Sequence, residues 1–345
     1  MPLPVGQISM DQVNIELGIA SGTTISLNQT NVRSLAGVPT GAISMANLQG
    51  KGAAWAGTIS TPQSNLNLYT WATGAGYPGS GLATITVAPG VYVWSNSTAT
   101  AAMTIPNQFG AGNLTVVNNG FIMGQGGAGA SAPALANGAV GGPAISISQP
   151  VTINNTNAAA YIGGGGGGGG SGASPGTPAA RAGGGGGVGG GGGGTGGATP
   201  TAGGAGGAIG NTGGNGTADG GGGGGRVFPG TAPAPSPSSG GLGNPGGGTG
   251  GRSGLVNPRT GQISLGGGGG GGGWGAAGGA GAWTVLPAGP PAQPGSGGAA
   301  NNVGGNSNLG ANLRPGGAGG RAVTLNGNSV TWVSGNTTRV WGSVS

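Results

Sequence analysis

Apolar and polar positions follow one rhythm at the start of this chain, another further on, and neither across a long central stretch. In the first fifty residues the spacing is helical: Met10, Val13 and Leu17 fall on one face, and Gly18 is placed as a stop. Ser9 with Gln12, and Ser26 with Gln29, have capping-box spacing, so each serine oxygen can accept from an amide at a helix start. Leu27, Val32 and Leu35 predict a second short helix, ended by Gly37, Val38 and Pro39. A short pattern recurs three times, as Gly6-Gln7-Ile8-Ser9-Met10, Thr23-Thr24-Ile25-Ser26-Leu27 and Gly41-Ala42-Ile43-Ser44-Met45. Units this small cannot each bury a core, so residues 1–52 are expected to form one compact attachment or assembly module. Asp11, Glu16, Arg33 and Lys51 are its charges and are candidates to pair there.

From residue 53 to 162 the alternation is every second position. Thr84-Ile85-Thr86-Val87 and Val91-Tyr92-Val93-Trp94 flank Ala88-Pro89-Gly90, and Leu114 to Val117 runs through Asn118-Asn119-Gly120 into Phe121-Ile122-Met123. Ile145 to Ser148 precedes Val151-Thr152-Ile153. Such β-branched runs, punctuated by glycine and asparagine, predict short strands with tight turns. Val116–Asn119 and Thr152–Asn155 read as one unit repeated 36 residues apart, a spacing that suits a β-solenoid and a β-sandwich equally. Strand-like sequence returns in residues 321–345, which predict a short C-terminal β meander with Trp332 and Trp341 as core anchors.

Between these parts, residues 163–320 hold most of the glycines. The tracts are Gly163–Gly170, Gly183–Gly194 broken only by Val188, Gly220–Gly225 and Gly266–Gly273. A strict Gly-X-Y period is missing, which excludes a collagen triple helix. A flexible linker is one reading, because glycine loses the most entropy on ordering. The other is a bundle of extended, threefold polyglycine-II helices, which have no internal hydrogen bonds and, lacking side chains, approach closely enough to bond one another laterally. The tracts are separate and of similar length, bulky residues (Tyr161, Phe228, Trp274, Trp283) stand beside them, and folded sequence resumes afterwards. These features favour the bundle. The expected fold is therefore mainly β: a small N-terminal helical module (1–52), a β-solenoid or sandwich-like domain (53–162), a polyglycine-II bundle with variable loops (163–320) and the meander (321–345).

Composition narrows the chemistry. Of 345 residues, 97 are glycine and 24 proline, 3% are charged, and there is no cysteine or histidine. That leaves no thiol or imidazole for a nucleophile, a triad or a typical transition-metal site, and no cofactor is expected. The carboxylates are Asp11, Glu16 and Asp219, with none in residues 53–162, which speaks against a glycan hydrolase built on a pair of acids in that region. An enzyme is not expected. The net charge of +6 comes from nine basic residues scattered without a cluster, so no nucleic-acid partner is expected either. Residues 1–20 lack a basic stretch followed by an apolar core, and no window is apolar enough to span a membrane.

The run 6–18 (Gly-Gln-Ile-Ser-Met-Asp-Gln-Val-Asn-Ile-Glu-Leu-Gly), with 36–45, resembles the opening of many tail and fibre proteins of tailed bacteriophages. Residues 114–170, and the ending Gly327–Trp332 through Arg339–Ser343, resemble glycine-rich phage tail proteins. The glycine region is similar to that of the T-even-type tail-fibre-tip adhesins. That resemblance implies a packed polyglycine-II layer whose far-end loops contact a host receptor, in a virion protein of the tail or fibre that is released by host lysis. The implied partners are other tail and fibre proteins and a host outer-membrane protein or surface glycan. The assembly expected is a homotrimer, or one copy on a trimeric fibre tip. The N-terminal module departs from those adhesins, and no receptor motif carries over residue by residue.

Within that frame, Arg181, Arg226, Phe228, Arg252 and Arg259, with Trp274 and Trp283, are the candidate receptor contacts, because arginines and aromatics recur at binding hot spots. For Phe228 and the tryptophans the competing reading is bracing of the bundle; for the arginines it is solubility. A fibre or decoration subunit with no receptor role is the alternative function. Ice binding fits poorly, because the intervals between tracts are unequal.

Overall fold

The computed structural model describes residues 3–79, 81–131, 136–171, 272, 274–278, 314–335, 337 and 339–345, with the backbone of 255–256, 263–267 and 282–286. Its N-terminal module contains helix α1 (Met10–Glu16), helix α2 (Thr30–Ala36) and a 3-10 turn (Met45–Leu48). The Ser9–Gln12 capping box is present, with the Gln12 amide donating to Ser9 Oγ at 3.1 Å and the Ser9 amide to Gln12 Oε1 at 2.8 Å. The box expected at Ser26 is not. Gln29 takes the N-cap position of α2 without a side-chain bond, and Ser26 Oγ instead accepts from the Asn28 amide, a local turn that competes with the helix start. The third repeat carries its own reciprocal cap, Ser44 with Asn47. Leu3, Val13, Val32, Leu35, Ala36 and Leu48 pack into one small core, so the repeats do share a single interior. The two acids bond to backbone: Asp11 accepts from the Gly22 amide at 2.7 Å, and Glu16 accepts from the Ala53 amide at 2.9 Å, which ties the module to the entry of the first strand.

The chain then winds as a parallel solenoid of three sheets. One complete turn is β1 (Trp55–Ile59), β2 (Gln63–Ser64) and β3 (Leu66–Asn67). The next are β4 (Ala83–Val87), β5 (Tyr92–Trp94) and β6 (Met103–Ile105), then β7 (Leu114–Asn118), β8 (Phe121–Met123) and β9 (Ile145–Ile147). Sheet A stacks β1, β4 and β7, sheet B stacks β2, β5 and β8, and sheet C stacks β3, β6 and β9, all in parallel register. The solenoid is thus the correct member of the pair of expected β-architectures. Ala88-Pro89-Gly90 is a corner between two sheets rather than a hairpin. Inward residues alternate along each strand and meet at the axis: Ile85 and Val116 from sheet A, Val93 and Ile122 from sheet B, Met103, Ile105, Ile145 and Ile147 from sheet C.

Helix α3 (Leu68–Gly74), unexpected from the strand rhythm, follows the first turn. The Thr70 amide donates to its N-cap Asn67, and Leu68 and Ala72 are buried. Around it Trp55, Trp71, Tyr69, Tyr77 and Phe109 interlock with ring centroids 5.1–6.3 Å apart. The Tyr77 hydroxyl donates to the Gly81 carbonyl at 3.0 Å, and burial, with Tyr69 and Glu16 nearby, pushes its pKa above the ordinary 10.0.

The fourth turn is β10 (Val151–Asn154), β11 (Tyr161–Gly163) and, far along the sequence, β15 (Val323–Thr324); the fifth is β16 (Val330–Trp332), β17 (Val340–Trp341) and Val344. These C-terminal strands pair in parallel with β9, β10 and β11, so residues 321–345 complete the solenoid and the separate meander is corrected. The repeat distance is also corrected by one residue. Thr152 lies beside Thr115 and Ile153 beside Val116, not beside Val117 as the 36-residue spacing implies. Asn118 and Asn155 therefore stack, and the buried Asn118 amide donates to Asn155 Oδ1 at 2.9 Å and to the Tyr161 carbonyl at 3.1 Å. Arg339 closes the same corner by donating to the carbonyls of Ala160 and Asn155.

Candidate functional site

One corner of the solenoid, from sheet B to sheet C, grows with each of the first four turns. Asn65 alone crosses it first, at φ 48°. Residues 95–102 cross it next, 124–144 in the third turn and 164–322 in the fourth. The glycine-rich sequence is therefore an excursion out of two adjacent turns, and residues 124–130, 136–142, 163–171 and 314–320 are extended rods.

The rod 163–171 is buried along its whole length and has no side chain until Ser171. Its hydrogen bonds leave in several directions with a period of three. The carbonyls of Gly163, Gly166 and Gly169 accept from the amides of Gly124, Gly127 and Ala130 at 2.8–2.9 Å. The amides of Gly165, Gly168 and Ser171 donate to the carbonyls of Gly142, Ala139 and Ala136 at 2.9–3.1 Å. The carbonyls of Gly165 and Gly168 accept from Gly320 and Gly317 at 2.7 Å, and those of Gly164 and Gly167 accept from Gly275 and Gly272 at 2.7 Å. The carbonyls of Gly163 to Gly169 and the amides of Gly165, Gly168 and Ser171, which a buried extended segment would otherwise leave unpaired, thus bond to neighbouring segments. The required approach excludes a β-carbon. A methyl at Gly165 would fall inside the contact distance of the Gln125 carbonyl, and one at Gly168 would strike the Ala128 carbonyl. Several of the few side chains on the surrounding rods face outward, as with the exposed Ala128, Ala139, Val140 and Ala318, whereas Ala130 and Ala276 are buried.

Connectivity fixes the rod directions. Rods 124–130 and 163–171 run away from the solenoid, and 136–142 and 314–320 run back to it, antiparallel to 163–171 by their bonding partners. Consequently Ser131, Ala136, Ser171 and Arg314 mark the end remote from the solenoid. Ser171 is fully buried there, its hydroxyl accepting from the Ala136 amide at 3.0 Å. Arg314 is the one charged residue among the described residues of the rods and is exposed. Its position had no signal in the sequence beyond the glycines after it, and Ser171 had only its place at the end of a tract.

The candidate contacts are distributed unevenly. Arg181, Arg226, Phe228, Arg252 and Arg259 lie outside the described residues, between rods that end at the remote face. Trp283 lies in β14 (Ala282–Leu286), which pairs antiparallel with β13 (Ile263–Gly267), itself paired with β12 (Leu255–Val256); Trp283 stands opposite Gly266. Gly266 and Gly267 are hence strand residues rather than the start of a rod. Trp274 is fully buried at the solenoid end. It packs on the outer face of sheet B, where Tyr92, Phe121 and Tyr161 form a ladder with centroids 4.8–5.5 Å apart and Trp341 adds to Tyr161 at 4.8 Å.

Among the described residues no group of three or more metal-ligating side chains occurs, and no helix is long and apolar enough to cross a membrane. The described residues of this region are a lateral array of backbone segments bonded to one another, with ends remote from the solenoid.

Comparison with known proteins agrees with this architecture. No curated protein sequence matches the chain. The crystal structure of the gp37-gp38 adhesin tip complex of the bacteriophage S16 long tail fiber contains a chain with the same fold, at TM-score 0.50 and 19% identity, covering 91% of each chain. The family model for the phage tail fibre adhesin Gp38 matches residues 55–345, from the first solenoid strand to the last residue. The chain belongs to the Gp38 family of phage tail fibre adhesins and is a component of the virion tail.

Proposed function

We propose that this protein recognises the host cell from the tip of a tail fibre, binding a surface receptor through loops held on a polyglycine-II bundle. The observation that carries the reading is the enclosed rod 163–171, whose lateral bonds repeat every third residue as a threefold extended helix requires. A bundle of this kind exposes little chemistry of its own. What it supplies is stiffness, so that loops at its remote end lose little ordering entropy when they meet a receptor. Arg181, Arg226, Phe228, Arg252 and Arg259 belong to the sequence between those rod ends and are the proposed contacts, joined by Arg314. The protein acts by binding, without catalysis. Residues 1–52, which precede the segment matched by the family model, attach it to the other fibre proteins, just as the related S16 chain occurs in a complex of gp37 with gp38.

The test is a phage in which residues 172–254 are exchanged for the corresponding segment of a relative with a different host range. Adsorption should follow the donated segment while assembly of the particle is unchanged. Adsorption that keeps the original host would assign the protein a purely structural place in the fibre.

A further inference from the structure

Helix α2 and the first turns of the solenoid do not meet flush. Between them lies a groove of about 730 Å³, with Asn31, Ser34 and Leu35 of α2 on one side and Ala54, Leu82 and Asn113 of the solenoid on the other. Gly50 to Ala53 and Gly81, where the module joins the solenoid, complete it.

The join is held at three points, so the groove is preformed. A β-carbon on Gly52 would stand 2.6 Å from the Gly81 Cα, and Gly81 itself takes φ +85°. The Ala53 amide donates to the Glu16 carboxylate at 2.9 Å, and the Tyr77 hydroxyl donates to the Gly81 carbonyl at 3.0 Å. A cleft fixed in this way admits a partner without first having to order its own walls.

The lining says what chemistry fits. Leu82 is 52% exposed, and Leu17 adds apolar surface nearby. Lys51 is the charged residue of the lining, and its ammonium group has no partner among the described residues. The other charges of the module are engaged within it or at the join. Asp11 accepts from Ser21 and Gly22, Glu16 accepts from Ala53, and Arg33 donates to Asn28 and to the carbonyls of Val38 and Gly41. The Ser34 hydroxyl and the amides of Asn31 and Asn113 add neutral hydrogen-bonding groups. One cation beside an exposed aliphatic side chain, in a narrow preformed cleft, is too little for a nucleic-acid backbone. It matches an extended peptide with an acidic side chain close to an aliphatic one.

We propose that this groove seats an acidic and aliphatic segment of the fibre protein that carries the adhesin. Half of its lining comes from the solenoid, so attachment is shared by residues 1–52 and the corner that holds Leu82 and Asn113. The choice of a fibre protein as occupant rests on the attachment role proposed above.

The test uses phage carrying the full-length adhesin, with adhesin per purified particle measured by immunoblot. Lys51 and Leu82 are both exposed, so Lys51→Glu and Leu82→Asp should fold as the parent does, as thermal unfolding of the purified proteins will verify. Each should lower the adhesin content of the particle about tenfold or more, whereas Lys51→Arg should keep it. Ile15→Lys, at a 61% exposed position of α1 outside the groove, should also keep it. If Leu82→Asp unfolds, Leu82→Ser is read instead. Full adhesin content in Lys51→Glu and Leu82→Asp would overturn the proposal. If Ile15→Lys alone were depleted, the module would remain the attachment region and the groove would fall. If none of the three were depleted, the attachment role of the module would lose its support as well. A purified adhesin that sediments as a dimer, and as a monomer after Lys51→Glu, would give the groove to a second copy of this chain and likewise overturn the proposal.

Discussion

Replacing Gly168 by alanine adds one methyl group to a buried position of the bundle. Its β-carbon would be driven against the Ala128 carbonyl and to 2.8 Å from the Gly129 amide nitrogen, both backbone atoms of a rod that other rods hold in place. Relief requires the two rods to part, which lengthens the bonds that the Gly127 and Ala130 amides donate to the carbonyls of Gly166 (2.8 Å) and Gly169 (2.9 Å). Overpacking by a methyl costs about 1–3 kcal/mol, and each weakened bond about 0.5–1.5 kcal/mol. The expected loss is therefore roughly 2–6 kcal/mol, a large share of the ~5–15 kcal/mol that holds an ordinary domain together. Ala128→Ser, whose side chain points to solvent on the neighbouring rod, is the control and should stay within about 0.5 kcal/mol of the parent. Urea unfolding read by tryptophan emission, with Trp274 reporting from the base of the rods, measures both. A Gly168→Ala protein as stable as the Ala128→Ser protein would refute the close-packed geometry, because a chain free to move has room for a methyl.

Other consequences arise from the solenoid and the N-terminal module. Asn118→Ala removes a buried amide and takes away the partner of Asn155 Oδ1 and of the Gly120 amide; a loss of about 2–4 kcal/mol is expected in the same unfolding assay, and a loss under about 1 kcal/mol would show that the asparagine stack contributes little. The Tyr77 pKa is raised by folding, so its contribution is complete below pH 10.0 and declines as pH climbs through the higher folded value; Tyr77→Phe should flatten that alkaline decline. Asp11 has the opposite sign. Its bonds to the Gly22 amide and the Ser21 hydroxyl lower its pKa below 3.8, so the clamp is present above that pH and is lost as pH falls through the folded value. A lower protection factor of the Gly22 amide in acid, absent in Asp11→Asn, is the measurement.

Much of the fold is legible in the sequence where side chains carry the instruction. The Ser9–Gln12 cap and the alternation in Leu114–Asn118 specify their elements locally. Other features are set by partners remote in sequence. Nothing near Val323 says that it lies beside Ile145, so strands 321–345 read as a meander although they close the solenoid. Asn118-Asn119 and Asn154-Asn155 invite an alignment that is one residue off, and only the core-facing alternation of both strands settles it. Leu68–Gly74 was hidden because four of its residues, Tyr69, Thr70, Trp71 and Thr73, are types that favour strands as much as helices. In the glycine tracts the information is carried by what is missing. The sequence Gly163–Gly170 implies close approach but says nothing about which rods meet, and Trp274 looks like a loop anchor, although it is buried on the outer face of sheet B. The candidate arginines rest on residue type alone.

The central claim is that side-chain-free segments are held rigid by one another. Amide exchange at Gly164, Gly165, Gly167 and Gly168 tests it most directly, since these four donate to the carbonyls of Trp341, Gly142, Ala276 and Ala139. Their protection should be comparable to that of Ile162, an amide in the solenoid core bonded to Arg339. Exchange at the rate of an unstructured glycine peptide would contradict the claim.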